Sequence, residues 1–170
     1  MQALNLSSYK YKSLASPGIN KLSPDLQSLY GEKLTSDSLD NLPKGLLSLD
    51  LSGRKNLRDA AIRDLPKSLL SLDLEYCVKL TDVALSRLPK SLQRLNLSDC
   101  SQLIDASIDN LPKGLQFLNL SHCDKLTDAA LKKLPTGLQV LYIRGNLRFT
   151  KDAILQWQKN TRVVCFSNFM

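Results

Sequence analysis

Leu42-Pro43-Lys44-Gly45-Leu46, Leu65-Pro66-Lys67-Ser68-Leu69, Leu88-Pro89-Lys90-Ser91-Leu92 and Leu111-Pro112-Lys113-Gly114-Leu115 begin 23 residues apart, and Leu134-Pro135 opens a fifth copy on the same interval. A strict period of this length denotes a solenoid. A unit this short cannot bury its own apolar face, so each must stack on its neighbours and share one continuous core.

The copy that starts at Leu65 shows how a coil is built. Its apolar residues fall at Leu69, Leu72 and Leu74, then at Cys77, Leu80, Ala84, Leu85 and Leu88. Leu72-Asp73-Leu74 alternates with period two, which predicts a strand with its leucines inward and Asp73 outward. From Thr81 the spacing turns helical, with Thr81 placed to cap the first turn and Asp82 placed at its positive end. Pro89 disfavours helical geometry at Leu88, so the helix is expected to stop after about two turns. Strand, tight loop, short helix and return loop complete one coil. Strands of successive coils pair in parallel about 4.8 Å apart, and the bulkier helices outside bend the stack into an arc. The expected fold is α/β: a curved solenoid with a parallel sheet on the concave face and short helices on the convex face.

Away from this centre the pattern loosens. Leu4-Asn5-Leu6-Ser7 matches Leu95-Asn96-Leu97-Ser98 residue for residue, so the chain starts inside a repeat. Leu14 to Leu22 has the spacing of Leu80 to Leu88, but Pro17 and Gly18 fall in the helical part and predict an irregular segment. The next unit carries Leu26, Leu29, Leu34 and Leu39, and it aligns with the regular copies only after removal of three residues around Gly31. At the other end, Leu138, Leu141, Ile143, Phe149, Thr150, Ala153 and Ile154 keep register, and Asn146 stands where other copies have cysteine. Trp157 takes the slot of Leu134 and is expected to belong to a cap over the last coil. Arg162 to Phe166 reads as a final strand with Val163 and Cys165 inward. These boundaries give one domain over 1–170, with irregular repeats at 1–41, regular repeats at 42–156 and a cap at 157–170.

At 170 residues, 43% hydrophobic and 23% charged, the composition is that of a soluble domain. Met1 to Leu14 lacks the pattern of a signal peptide, and no apolar run is long enough to span a bilayer. A cytosolic setting is expected. The four cysteines accompany a leucine core that needs no disulfide staples, which predicts reduced thiols. The net charge of +7 permits an acidic partner or nucleic acid, and position in the repeat decides which face carries it.

These residues resemble leucine-rich repeats. Leu-x-x-Leu-x-Leu-x-x-Cys-x-x-Leu-Thr-Asp-x-x-Leu, read over Leu69 to Leu85, is similar to the cysteine-containing subfamily of F-box ubiquitin-ligase adaptors and GALA-type bacterial effectors. The likeness covers nearly the whole chain. Two features depart from that subfamily: the unit is shorter than its roughly 26 residues, and the Leu-Pro-Lys-Ser-Leu loop looks more like the Leu-Pro loops of bacterial leucine-rich repeat effectors. No F-box-like helical segment precedes the repeats. The resemblance implies a non-enzymatic protein-binding module and tilts toward a bacterial effector delivered into a host cytosol. A ubiquitin-ligase-like adaptor is the alternative.

Cys77, Cys100 and Cys123 lie one repeat apart, so they form a column rather than the tetrahedral cluster a zinc site needs. In the resemblance their position serves the turn backbone while facing the core, and Cys165 falls on an inward strand position. His122, the one histidine, is adjacent to Cys123, but neighbours in a strand point to opposite faces and make no catalytic pair. No phosphate loop, enclosed carboxylate pair or metal motif is present, so no enzyme activity, metal or cofactor is expected.

Lys44, Lys67, Lys90 and Lys113 form one edge column, ended by Thr136, and Lys33, Lys79, Lys125 and Arg148 form another; Arg63, Arg87, Lys132 and Lys133 add charge at helix ends. These columns lack interleaved aromatics, so they read as a solvated edge rather than a phosphate track; nucleic-acid or acidic-surface binding is the competing expectation.

The concave columns are free to vary without harming the core. The central one reads Asn5, Tyr30, Asp50, Asp73, Asn96, Asn119, Tyr142 and Val164. Its flanks read Ser48, Ser71, Arg94, Phe117 and Val140, and Ser52, Glu75, Ser98, Ser121, Arg144 and Phe166, with Tyr76, Asp99 and His122 along the rim. Asp50, Asp73 and Glu75 make an acidic patch; Arg94, Phe117, Tyr142 and Arg144 make an aromatic and basic one. The Asp/Asn rungs either keep the sheet solvated or contact a partner. Phe117 beside Tyr142 has no solubility role, and large rings with arginine are the usual anchors of protein interfaces. The candidate contact set is thus Tyr30, Asp50, Asp73, Glu75, Tyr76, Arg94, Phe117, His122, Tyr142 and Arg144, on a chain expected to act as a monomer.

Overall fold

The structure is a computed structural model that describes residues 3–5, 22–30, 36–159 and 164–166, with side chains placed for 22–29 and 39–159. Its strands are β1 (Ala3–Asn5), β2 (Ser28–Tyr30), β3 (Ser48–Asp50), β4 (Ser71–Asp73), β5 (Arg94–Asn96), β6 (Phe117–Asn119), β7 (Val140–Tyr142) and β8 (Val164–Phe166). They form one parallel sheet in chain order, as the period predicts. Leu29, Leu49, Leu72, Leu95, Leu118 and Leu141 point inward from the strand centres and are buried, and the leucines of the loops and helices close over them. Parallel pairing continues past each strand: the N–H groups of Gly53, Tyr76, Asp99 and His122 donate to the carbonyls of Glu75, Ser98, Ser121 and Arg144 on the next coil.

The convex side differs from the uniform two-turn helices expected. Asp82–Ser86 is an α-helix (α1), as are Asp128–Leu131 (α2) and Lys151–Lys159 (α3). Ser36–Asn41, Asp59–Ile62 and Asp105–Asn110 are 3-10 turns. The helix after Thr81 is only five residues long, shorter than two turns. The difference follows the residue before each segment where its side chain is described. Thr81 and Thr127 accept from the N–H of Val83 and Ala129, and Thr150 from that of Ala153. Arg58 and Ile104 make no side-chain cap, and 3-10 geometry follows both.

The same threonines join the coils. Asp59 accepts from the Thr81 N–H and hydroxyl at 2.9 and 2.7 Å. Asp105 does so for Thr127 and Asp128 for Thr150. In the return loops, the Ser68 hydroxyl lies 2.7 Å from the carbonyls of both Lys44 and Leu46, and Ser91 repeats this with Lys67 and Leu69. Each polar ladder satisfies backbone or capping groups that stacking would otherwise strand.

The last strand is offset from the column assignment made from sequence. Val164 pairs with Val140, Cys165 with Leu141 and Phe166 with Tyr142. Phe166, not Val164, therefore continues the central column: the step from Tyr142 is 24 residues, one more than the period and two more than the assignment to Val164 assumed. Cys165 is described by its backbone alone, paired with Leu141; Val163 lies outside the described residues, as does the segment from Leu14 to Lys21 with Pro17 and Gly18. Trp157, on α3, is partly buried against the core.

Candidate functional site

The central concave column ends each strand by local chemistry. Asp50, Asp73, Asn96 and Asn119 each accept, through Oδ1, the N–H two residues on, at Ser52, Glu75, Ser98 and Ser121. These Asx turns bend the chain out of the strand. Asn96 also donates to Asp73 Oδ2 and Glu75 Oε2, both at 3.1 Å. The Asp/Asn rungs thus have a structural duty. Burial pushes the Asp73 carboxyl above the usual carboxylate range, the Glu75 N–H and Asn96 amide oppose this, and the charges of Asp50 and Glu75 add to it.

The flanking column needs a correction. Ser98 and Ser121 are buried, at 6% and 7% exposure, so they offer a partner nothing. The backbone is the same at these positions, and the difference follows side-chain length: the short serines stay under their neighbours, whereas Glu75 and Arg144 in the same column reach out and stay exposed.

The rim residues share a backbone feature the sequence reading missed. Tyr76, Asp99 and His122 have φ of +61°, +60° and +56°, and Gly53 and Gly145 occupy the same position of their coils at +74° and +78°. The column is left-handed in every described copy, a conformation side chains adopt at a cost. The two glycines were the available signal. Lys55 Nζ lies 4.9 Å from the centre of the exposed Tyr76 ring, and the His122 imidazole lies over Gly145.

Toward the C-terminal side the wall changes character. Phe117 and Tyr142 are half-buried with ring centres 5.5 Å apart, and the exposed Arg94 guanidinium lies 4.4 Å from the Phe117 centre. Arg94 and Phe117 are paired across β5 and β6, and Tyr142 stands diagonal to Phe117 on β7, with Arg144 two residues beyond it. The structure therefore brings Arg94, Phe117, Tyr142 and Arg144 into one patch and Asp50, Asp73 and Glu75 into another. Tyr76 and His122 stand along one edge, and of Tyr30 the backbone alone is described, at the end of β2.

Cys77, Cys100 and Cys123 are buried and unbridged, and each thiol donates to a strand-end carbonyl one coil back, at Leu51, Leu74 and Leu97. Asn146 donates its amide to Leu120 O in the same way, but its Oδ1 is buried and has no partner among the described residues. Desolvation pushes Cys77 up to about 11 and Cys123 to about 12, with Cys100 higher still. Thiols held this way are inert donors. Among the described residues no three His, Cys, Asp or Glu side chains group as metal ligands, and no helix is long and apolar enough to cross a membrane. A cleft on the helical side brings Ser86, Lys90 and Asp109 together, yet the Ser86 hydroxyl is committed to Val83 O.

The lysine edges differ from one another. Lys79 and Lys125 donate to Asn56 and Gln102 one coil back, so that column partly clamps the stack. Lys44, Lys67, Lys90 and Lys113 are exposed.

No protein-family model and no curated protein sequence matches the chain. Its architecture does match solved structures. A chain of the yeast Rad7–Elc1 complex superposes with a TM-score of 0.70 at 19% identity, over 80% of this chain and 40% of that one. The leucine-rich repeat-containing protein LegL7 from Legionella pneumophila superposes at 0.62 with 17% identity, over 92% of this chain and 59% of that one. The chain thus spans about half the length of the proteins it resembles, and at these identities the likeness is one of fold: the molecule is a leucine-rich repeat solenoid.

Proposed function

We propose that the chain is a non-enzymatic module that binds a protein partner on its concave face. The observation that carries this reading is the cluster of Arg94, Phe117 and Tyr142, an aromatic pair with a cation over one ring, standing on an open sheet with no core to fill. Rings and arginine in this setting supply most of the energy of protein interfaces. A preformed solenoid wall also loses little conformational freedom on binding. One domain spans 1–170 in this reading, with its regular repeats at 42–156 and a cap from 157, and it acts as a monomer.

The finer reading is a bacterial effector that acts on a host protein in the host cytosol, supported by the Leu-Pro return loops. A ubiquitin-ligase-like adaptor is the alternative, supported by the cysteine-bearing consensus. Nucleic-acid binding through the lysine columns is less favoured, because Lys79 and Lys125 already serve neighbouring coils. Capture from eukaryotic lysate tests the proposal, with wild-type protein beside a Phe117→Ala, Tyr142→Ala variant matched for folding by circular dichroism. A protein held by the wild type and lost by the variant is the expected result. Equal retention by both, or nucleic acid released by salt, would move the site to the lysine edges.

A further inference from the structure

Charge divides the concave wall along the axis of the stack. On β3 and β4 and the residue pair after them stand Asp50, Asp73 and Glu75. The groups that hydrogen-bond Asp73 are neutral, namely the Glu75 N–H and the Asn96 amide, and the charges that act on it, Asp50 and Glu75, are both negative. On β5 and after β7 stand Arg94 and Arg144, exposed and, among the described residues, in no ion pair; Lys133 and Asp109, which do pair, lie on the helical side. The Arg94 guanidinium lies 4.4 Å from the Phe117 ring centre and is exposed, and its several N–H donors match the oxygens of a carboxylate.

We infer that the concave face takes one segment of its protein partner laid across the strands in a fixed direction. Lysine or arginine of that segment lies over Asp50, Asp73 and Glu75, and an apolar residue flanked by a carboxylate lies over Arg94, Phe117, Tyr142 and Arg144. This rests on the reading of the concave face as the binding surface and adds the polarity of the occupant. The reversed segment would set carboxylates over the acidic patch and cations over the arginines, which like-charge contact penalises. The spacing follows from the sheet. From β4 to β6 or β7 is two or three strand intervals, roughly 10–14 Å. An extended segment covers that in about three or four residues, and a helical one in about seven to nine.

Selection from a display library of random peptides about twelve residues long, enough to cross the wall extended or helical, tests this directly. It is run on the wild type, on Phe117→Ala, Tyr142→Ala, and on Asp50→Asn, Asp73→Asn, Glu75→Gln. The last variant preserves the side-chain shapes, and Asn already fills the same column at Asn96 and Asn119. The expected peptides need Phe117 and Tyr142, carry basic residues at the stated distance from an apolar–acidic pair, and bind the neutralised variant at least about tenfold more weakly. Peptides that need the two rings but show no charge polarity, or that bind the neutralised variant equally, overturn the inference and leave the concave site standing. Peptides indifferent to the rings, or none enriched over bare support, overturn both.

Discussion

Gly145 combines two demands at one Cα. Its φ of +78° penalises a side chain, and a Cβ built there would fall well inside van der Waals contact with His122 Nδ1 and Cε1. Gly145→Ala is expected to cost about 1–2 kcal/mol for the left-handed conformation, plus the displacement of His122. In a His122→Ala background the second cost disappears, and a urea-denaturation cycle reads the difference; equal losses in both backgrounds would contradict the contact. Asn146 makes the converse case. Asn146→Cys removes the orphaned Oδ1 and restores the thiol donor used one, two and three coils earlier, so it should raise stability by about 1 kcal/mol in the same assay. The inward leucines, the cysteine column and the Phe117–Tyr142 neighbourhood were all legible from the period, because spacing assigns a face. The left-handed column was not: Tyr76, Asp99 and His122 carry side chains that conceal it, and only Gly53 and Gly145 mark the position.

At the scale of the element, the capping residue separates the α-helices after Thr81, Thr127 and Thr150 from the 3-10 turns after Arg58 and Ile104. Ile104 replaces the threonine that closes the first turn in neighbouring coils, so Asp82 has no hydroxyl across the seam and the Ile104 N–H turns to Ser107 Oγ. Ile104→Thr should supply both bonds, lengthen the turn at Asp105–Asn110 toward α-helix and stabilise the fold by about 1 kcal/mol. Amide exchange in that segment measures it, and unchanged protection would refute the capping account. The sequence predicted a helix in each coil because the apolar spacing at Ile108 and Leu111 resembles that at Leu85 and Leu88. What distinguishes them is one hydroxyl, a signal that the apolar pattern does not contain.

At the scale of the whole molecule, polar ladders join neighbouring coils, and the thiol ladder from Cys77 to Cys123 makes stability depend on alkaline pH. The ordinary thiol value is 9.0, and the folded state holds Cys77 at about 11 and Cys123 at about 12. Folded values above unfolded ones mean that the native state keeps protons the unfolded chain has lost. The contribution is therefore complete below pH about 9 and falls as pH rises toward about 12. Replacing Cys77, Cys100 and Cys123 together by Ser keeps donors that do not titrate there, so the slope of stability against pH over this window should flatten; an unchanged slope would assign it to other groups. Parallel order and curvature were readable because strict periodicity leaves one way to stack, whereas the offset of β8 came from one extra residue where the repeat ends. The candidate patch was readable as columns, but the burial of Ser98 and Ser121 was not, since alternation assigns a face and not the depth to which a short side chain sits among its neighbours.

The central claim is that the concave rings, and not the lysine edge, hold the partner. The most direct test is the affinity of the protein captured from lysate for two variants, Phe117→Ala, Tyr142→Ala and the Ala replacement of Lys44, Lys67, Lys90 and Lys113, at low and high salt. The account predicts a loss of about thirtyfold or more for the first, as for hot-spot residues, with a few-fold change and little salt dependence for the second. Full affinity in the ring variant together with a salt-dependent collapse in the lysine variant would contradict it.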